Sequence, residues 1–92
     1  MRYFLVRDSR DNVGVAVVDI PAGEAAQGAT LDHGTVLNVA AREAIPLGHK
    51  IALRDFRPGD TVIKYGEDIG KVVAEIGAGQ HVHVHNLKTK RR

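Results

Sequence analysis

Ninety-two residues suffice for one compact domain and leave little room for a second, so a substrate pocket enclosed by this chain alone would be shallow. With 43% apolar residues, only 4% aromatics and charges of both signs mixed along its length, the chain reads as globular, with a core mostly of Val, Ile, Leu and Ala. The net charge of +2 does not mark a nucleic-acid binder: Lys88, Lys90, Arg91 and Arg92 sit at the very end, the rest carries nine basic against eleven acidic residues, and interleaved aromatics are lacking.

Absence of cysteine excludes a disulfide scaffold and thiolate chemistry and fits a reducing compartment, so the cytoplasm is expected. The run Tyr3-Phe4-Leu5-Val6 is too short for a signal-peptide core or a membrane span, and no membrane partner is expected.

In chain order, apolar or β-branched alternation predicts strands over Tyr3 to Val6, Val13 to Val18, Thr35 to Val39, Lys50 to Leu53, Thr61 to Tyr65, Lys71 to Ala74 and His81 to Leu87. The best helical stretch, Val39 to Ala44, is brief. Ten glycines and three prolines punctuate the strands, so the fold class is mainly β: one domain over 1–87 of short strands with Gly-rich corners and little helix, followed by a basic tail over 88–92.

Three hexapeptides share one form, acid, apolar, two turn residues, glycine, polar: Asp19-Ile20-Pro21-Ala22-Gly23-Glu24, Asp55-Phe56-Arg57-Pro58-Gly59-Asp60 and Glu75-Ile76-Gly77-Ala78-Gly79-Gln80. Each predicts a tight corner whose apolar residue is pinned in the core and whose glycine takes positive φ. Their unequal spacing fits a folded-up barrel or clip and not a solenoid. Asp19, Asp55 and Glu75 are better explained as caps of turn N–H groups than as paired general acids.

The chemistry concentrates at His81-Val82-His83-Val84-His85-Asn86. A strand sends i, i+2 and i+4 to one face, so three imidazoles would line a surface while Val82 and Val84 enter the core. Same-face neighbours stand about 6.5–7 Å apart at Cα, so two imidazoles can share one metal but three, spanning about 13 Å, cannot. The remaining histidine and Asn86 would be free to bind a substrate carboxylate or hydroxyl or to orient a ligand. A merely tolerated polar strand face is the plain alternative, and strict alternation of three scarce residues argues against it.

In Ile45-Pro46-Leu47-Gly48-His49-Lys50, the Pro-Gly turn delivers His49 and Lys50 to the start of a strand. There they could face an anionic substrate, Lys50 as charge and His49 as proton carrier; a capped strand entrance with a solvated Lys50 explains them equally well. His33 reads as an ordinary hairpin tip. With no phosphate loop, Ser-His-Asp order or zinc-protease helix, a self-contained enzyme is unsupported.

Four motifs then occur in a familiar order: Asp11-Asn12-Val13-Gly14-Val15-Ala16, Ile45 to Leu53, Val62-Ile63-Lys64-Tyr65-Gly66 with Ile69-Gly70, and Ala78 to Asn86. Together they resemble the N-terminal SAF (β-clip) domain of altronate and galactarate dehydratases and the small subunit of sulfolactate sulfo-lyase, over almost the whole chain. Because fused members place this domain before a much larger catalytic region, the resemblance implies a separate large catalytic lyase subunit as partner, and the start at Met1 favours a natural small subunit. The ending Asn86-Leu87-Lys88-Thr89-Lys90 looks closer to the short sulfo-lyase subunits, although Arg92 stands where a tryptophan would be expected there.

The resemblance further implies β-elimination of water or sulfite from a small anionic 2-hydroxy carboxylate, with a divalent, iron-like metal in the assembled enzyme. On that reading His83 and His49 serve catalysis, His85, Asn86 and Lys50 bind substrate, and His81 with His83 contributes to a metal whose principal ligands lie on the large subunit. Association with further copies of the chain is left open. The rival is a non-catalytic SAF-type ligand-binding or assembly module. A free-standing metal carrier is disfavoured because one strand offers only two ligands.

Overall fold

The computed structural model describes residues 2–89. Its strands are β1 (Phe4–Val6), β2 (Val13–Ala16), β3 (Ala25–Thr30), β4 (Val36–Ala40), β5 (Lys50–Ala52), β6 (Thr61–Lys64), β7 (Glu67–Val72), β8 (His81–Val82) and β9 (Leu87–Thr89). They form a six-stranded sheet in the order β4-β3-β1-β2-β5-β8 and a three-stranded sheet β6-β7-β9, antiparallel except for β1 beside β3. The mainly β expectation holds, and no helix forms among the described residues. Val39 and Ala40, where a short helix is predicted, end β4 instead.

β3 is a strand that alternation does not reveal, because Ala25-Ala26-Gln27-Gly28-Ala29-Thr30 has little of the β-branched bulk that marks strands. Its small residues have a packing reason: a Cβ on Gly28, like one on Gly14 in β2, would overlap the buried Phe4 ring of the strand between them. β7 lies earlier than predicted, at Glu67–Val72, since the chain reverses at Tyr65-Gly66. The expected tail boundary at 87/88 falls inside β9, where Lys88 and Thr89 pair with Lys71 and Gly70; Lys90, Arg91 and Arg92 lie outside the described residues.

The three predicted corners form, and a fourth, Ala44-Ile45-Pro46-Leu47-Gly48-His49, joins them. Gly23, Gly48, Gly59 and Gly79 have φ of 88°, 84°, 96° and 89°. Each is the third residue of a turn closed by Glu24 N to Pro21 O, His49 N to Pro46 O, Asp60 N to Arg57 O and Gln80 N to Gly77 O, the pattern of a type II turn.

The corners pair reciprocally. Gly23 N donates to Ala41 O while Gly48 N donates to Ala16 O, and Ala41 N and Ala16 N return the bond to Glu24 O and His49 O. Gly59 and Gly79 repeat this with Val72 and Ala52. Ile20 bridges Ile45 and Phe56 bridges Ile76, all four buried. Each pair anchors its own core: Ile20 and Ile45 pack with Phe4, Val6 and Ile51, whereas Phe56 and Ile76 pack with Val62, Val72 and Val82.

Asp19 and Asp55 cap turn N–H groups, but those of the mate: Asp19 Oδ1 accepts from Leu47 N and Asp55 Oδ1 from Ala78 N, at 2.8 and 2.9 Å. The reciprocal position facing Glu75 is Pro58, which has no N–H to cap.

Asp11 and Asn12 join the two sheets. The buried Asp11 carboxylate accepts from Tyr65 N (3.0 Å), Gly66 N (2.7 Å) and Asp8 N (3.3 Å), fixing a hairpin tip where Tyr65 is held at φ 57°. Asn12 donates through Nδ2 to Thr61 O and accepts at Oδ1 from Ile63 N.

Candidate functional site

His49 leaves the second corner immediately before β5, and β5 pairs with β8 so that Lys50 faces Val82 and Ile51 faces His81. Extending that register by one residue sets His49 across from His83. Burial of Ile51 in one core and Val82 in the other fixes the pairing, because a one-residue slip would expose both.

Beyond Val82 the chain departs from the predicted strand. His83 O accepts from both Asn86 N and Leu87 N, closing a turn, and Val84 is 73% exposed where the alternation places it in the core. Asn86 causes the departure. Buried in the turn, it accepts at Oδ1 from His83 N (3.0 Å) and donates through Nδ2 to His81 O (2.8 Å) and His85 Nε2 (3.1 Å). Both amide hydrogens are thus engaged within the chain.

His49, His81 and His83 meet. The His49–His83 and His81–His83 rings stack, with centroids 4.3 and 5.3 Å apart, and the His49 and His81 rings are tilted with centroids 4.9 Å apart. His49 Nδ1 lies 2.8 Å from His81 Nε2, a hydrogen bond that needs one nitrogen protonated and the other bare. His83 Nδ1 is buried with no hydrogen-bond partner among the described residues. One ring nitrogen from each of the three lies within 4.8 Å of the other two, a grouping able to hold a metal ion. His85 stays outside it: exposed, 5.4 Å from His81 between centroids, its Nε2 lone pair taken by Asn86.

Burial, then the neighbouring histidines, push the pKa values of His81 and His83 below the usual imidazole range; Lys50 adds to the effect on His83, and Glu43 opposes it at His81. Neutral imidazole is the ligating form. Lys50 is half-buried, its own pKa lowered by that burial and by Lys64. Glu43, which nothing in the sequence singles out, accepts from His81 N at 3.0 Å. His33 lies apart in the β3–β4 connection, where its N–H donates to Asp32 Oδ1.

A cleft of about 430 Å³ opens at the other corner pair, lined by Arg42, Asp55, Arg57, Glu75 and Gln80 among others, and no histidine lines it.

Residues 2–90 match the family model of the altronate/galactarate dehydratase SAF domain. Over 89 residues the chain is 51% identical to the (2R)-sulfolactate sulfo-lyase subunit alpha of Chromohalobacter salexigens, covering 96% of this chain and 95% of that one. It is 58% identical over 53 residues to the protein of the same name from Paracoccus pantotrophus, 58% of this chain and 79% of that one. Altronate dehydratase of Bacillus subtilis is 37% identical over 89 residues, which are 97% of this chain but 17% of that protein. The word subunit in the first two names implies a partner for those proteins.

Proposed function

The chain belongs to the altronate/galactarate dehydratase SAF-domain family, and from that premise we propose that it is the small subunit of a two-subunit lyase eliminating water or sulfite from a 2-hydroxy carboxylate. The observation that carries this reading is the 51% identity to a sulfo-lyase alpha subunit over nearly the full length of both chains. Geometry supports it: three imidazoles, one from the second corner and two from β8 and the turn after it, converge on one spot, as one wall of a shared site would.

In such an elimination a base removes the proton from the carbon bearing the hydroxyl and carboxylate. The β substituent leaves with its bonding electrons, as sulfite or, after protonation, as water, and the enol left behind ketonises. The α proton is weakly acidic, so the reaction depends on positive charge close to the developing enediolate. A divalent, iron-like metal supplies that charge when bound. His49, His81 and His83 present ring nitrogens to this site, Lys50 offers a cation to the substrate carboxylate, and Asn86 holds the turn. The large subunit provides the base and the remaining walls.

Co-expression with a large dehydratase-like subunit tests the proposal. Elimination activity should appear only with both chains, and His49→Ala with His83→Ala should lower kcat/KM by about 10²–10⁴-fold. Unchanged turnover, or a complex that eliminates neither water nor sulfite, overturns it in favour of a non-catalytic assembly module.

A further inference from the structure

We propose that His49, His81 and His83 form a complete three-histidine site for one divalent transition metal, held by this chain without its partner and leaving a coordination position open. The inference deepens the lyase reading and rests on it for the metal's role.

The limit of two ligands from one strand does not apply, because the third comes from the corner preceding β5, thirty-two residues earlier in the chain than His81. Three imidazoles plus an open position is a ligand set of metals that bind substrate or water directly.

Distances fit after a small adjustment. Metal–nitrogen bonds near 2.0–2.1 Å put neighbouring donors about 3.0–3.4 Å apart. Here His49 Nδ1 and His81 Nε2 stand 2.8 Å apart, and one ring nitrogen from each of the three residues lies within 4.8 Å of the other two. The rings, inclined to one another by 12–30°, must fan apart to aim their lone pairs at one point, a rotation about soft χ2 torsions.

The backbone is already fixed for it. His49 N donates to Pro46 O and its carbonyl accepts from Ala16 N. His81 N donates to Glu43 Oε2 and its carbonyl accepts from Asn86 Nδ2. His83 N donates to Asn86 Oδ1 and its carbonyl accepts from Asn86 N and Leu87 N. Every main-chain polar group of the three residues is occupied, whereas His83 Nδ1, buried, has no hydrogen-bond partner among the described residues. A donor left bare among groups so fully paired is what a ligand position demands, and Asn86 and Glu43 act as positioning residues for the set.

The experiment titrates the isolated full chain, stripped with chelator, with Co²⁺, read by d–d absorption and by the urea midpoint. One ion per chain should bind, displaceable by Zn²⁺, and should raise the midpoint by tying together segments distant in sequence. His49→Ala, His81→Ala and His83→Ala should each weaken binding by more than about 100-fold, beyond the loss expected from a supporting hydrogen bond. His85→Ala and His33→Ala should leave it unchanged, and His83→Gln, with an intact urea transition, shows that lost binding is not lost folding. Wild-type affinity in His49→Ala, several weak ions per chain, or no binding by the folded chain overturns the proposal. Failure to bind metal beside full activity with the partner sinks this inference alone; a metal-loaded chain whose complex eliminates nothing sinks the lyase reading alone.

Discussion

Asp11 with Asn12, and the histidines with Asn86, are two polar clusters at which distant parts of the chain meet, and they spend their polar groups in opposite ways. At the first, every described side-chain bond runs to a backbone group, so the polar atoms serve as rivets between the two sheets. At the second, Asn86 and Glu43 occupy the backbone while the imidazoles touch chiefly one another and His83 Nδ1 is left bare. A family motif is therefore not by itself a functional site. Asp11-Asn12 and Lys64-Tyr65-Gly66 belong to the fold, whereas the motifs around His49 and His81 bring three imidazoles together and leave the buried His83 Nδ1 without a hydrogen-bond partner among the described residues.

The contrast predicts a graded set of stability effects. Asp11→Ala should have the largest, about 3 kcal/mol in urea unfolding, because three N–H groups lose one charged acceptor and two of them hold the left-handed Tyr65 tip. A loss below about 1 kcal/mol would place Asp11 among dispensable surface groups. Asn86→Ala should cost about 2 kcal/mol, since His83 N and His81 O lose their partner. It should also impair metal binding and activity, joining the two clusters' behaviours in one residue.

Replacing His49 and His83 together should alter stability at neutral pH by no more than about 1 kcal/mol, while abolishing metal binding. The histidines should show themselves instead through pH. His81 and His83 hold protons less readily folded than unfolded, so on acidification below about 6.5 the unfolded chain binds protons first and unfolding becomes easier. That loss should level off once the folded rings are charged too, and these groups should contribute no pH dependence well above 6.5. Urea midpoints of the metal-free chain at several pH values measure it, and His81→Ala with His83→Ala should flatten the slope.

Much of the architecture was legible because it is written locally. The acid-apolar-turn-glycine form announces three corners, and the fourth lacks only the acid, Ala44 standing where the others carry Asp or Glu. β3 was hidden because packing under Phe4 selects small residues against strand propensity. At the site, alternation correctly brings His81 and His83 to one side, yet it continues in letters past the point where the strand ends, so Val84 misleads. The side-chain bonds of Asn86 that end the strand leave no periodic trace. Approach of His49 was beyond any local pattern, being a product of β5–β8 pairing across the chain.

The reciprocal corners carry a consequence for how the molecule breathes. Each corner glycine donates to the strand of its mate and receives the matching support in return, so neither corner of a pair can open without releasing the other. Amide protons of Ala16, Gly23, Ala41 and Gly48 should therefore exchange with solvent as one cooperative unit, and those of Ala52, Gly59, Val72 and Gly79 as another. His49 is carried by the first unit and His81 directly follows the second, so the imidazoles span the joint between two sub-globular opening units, and an ion bound across them would merge two exchange rates into one.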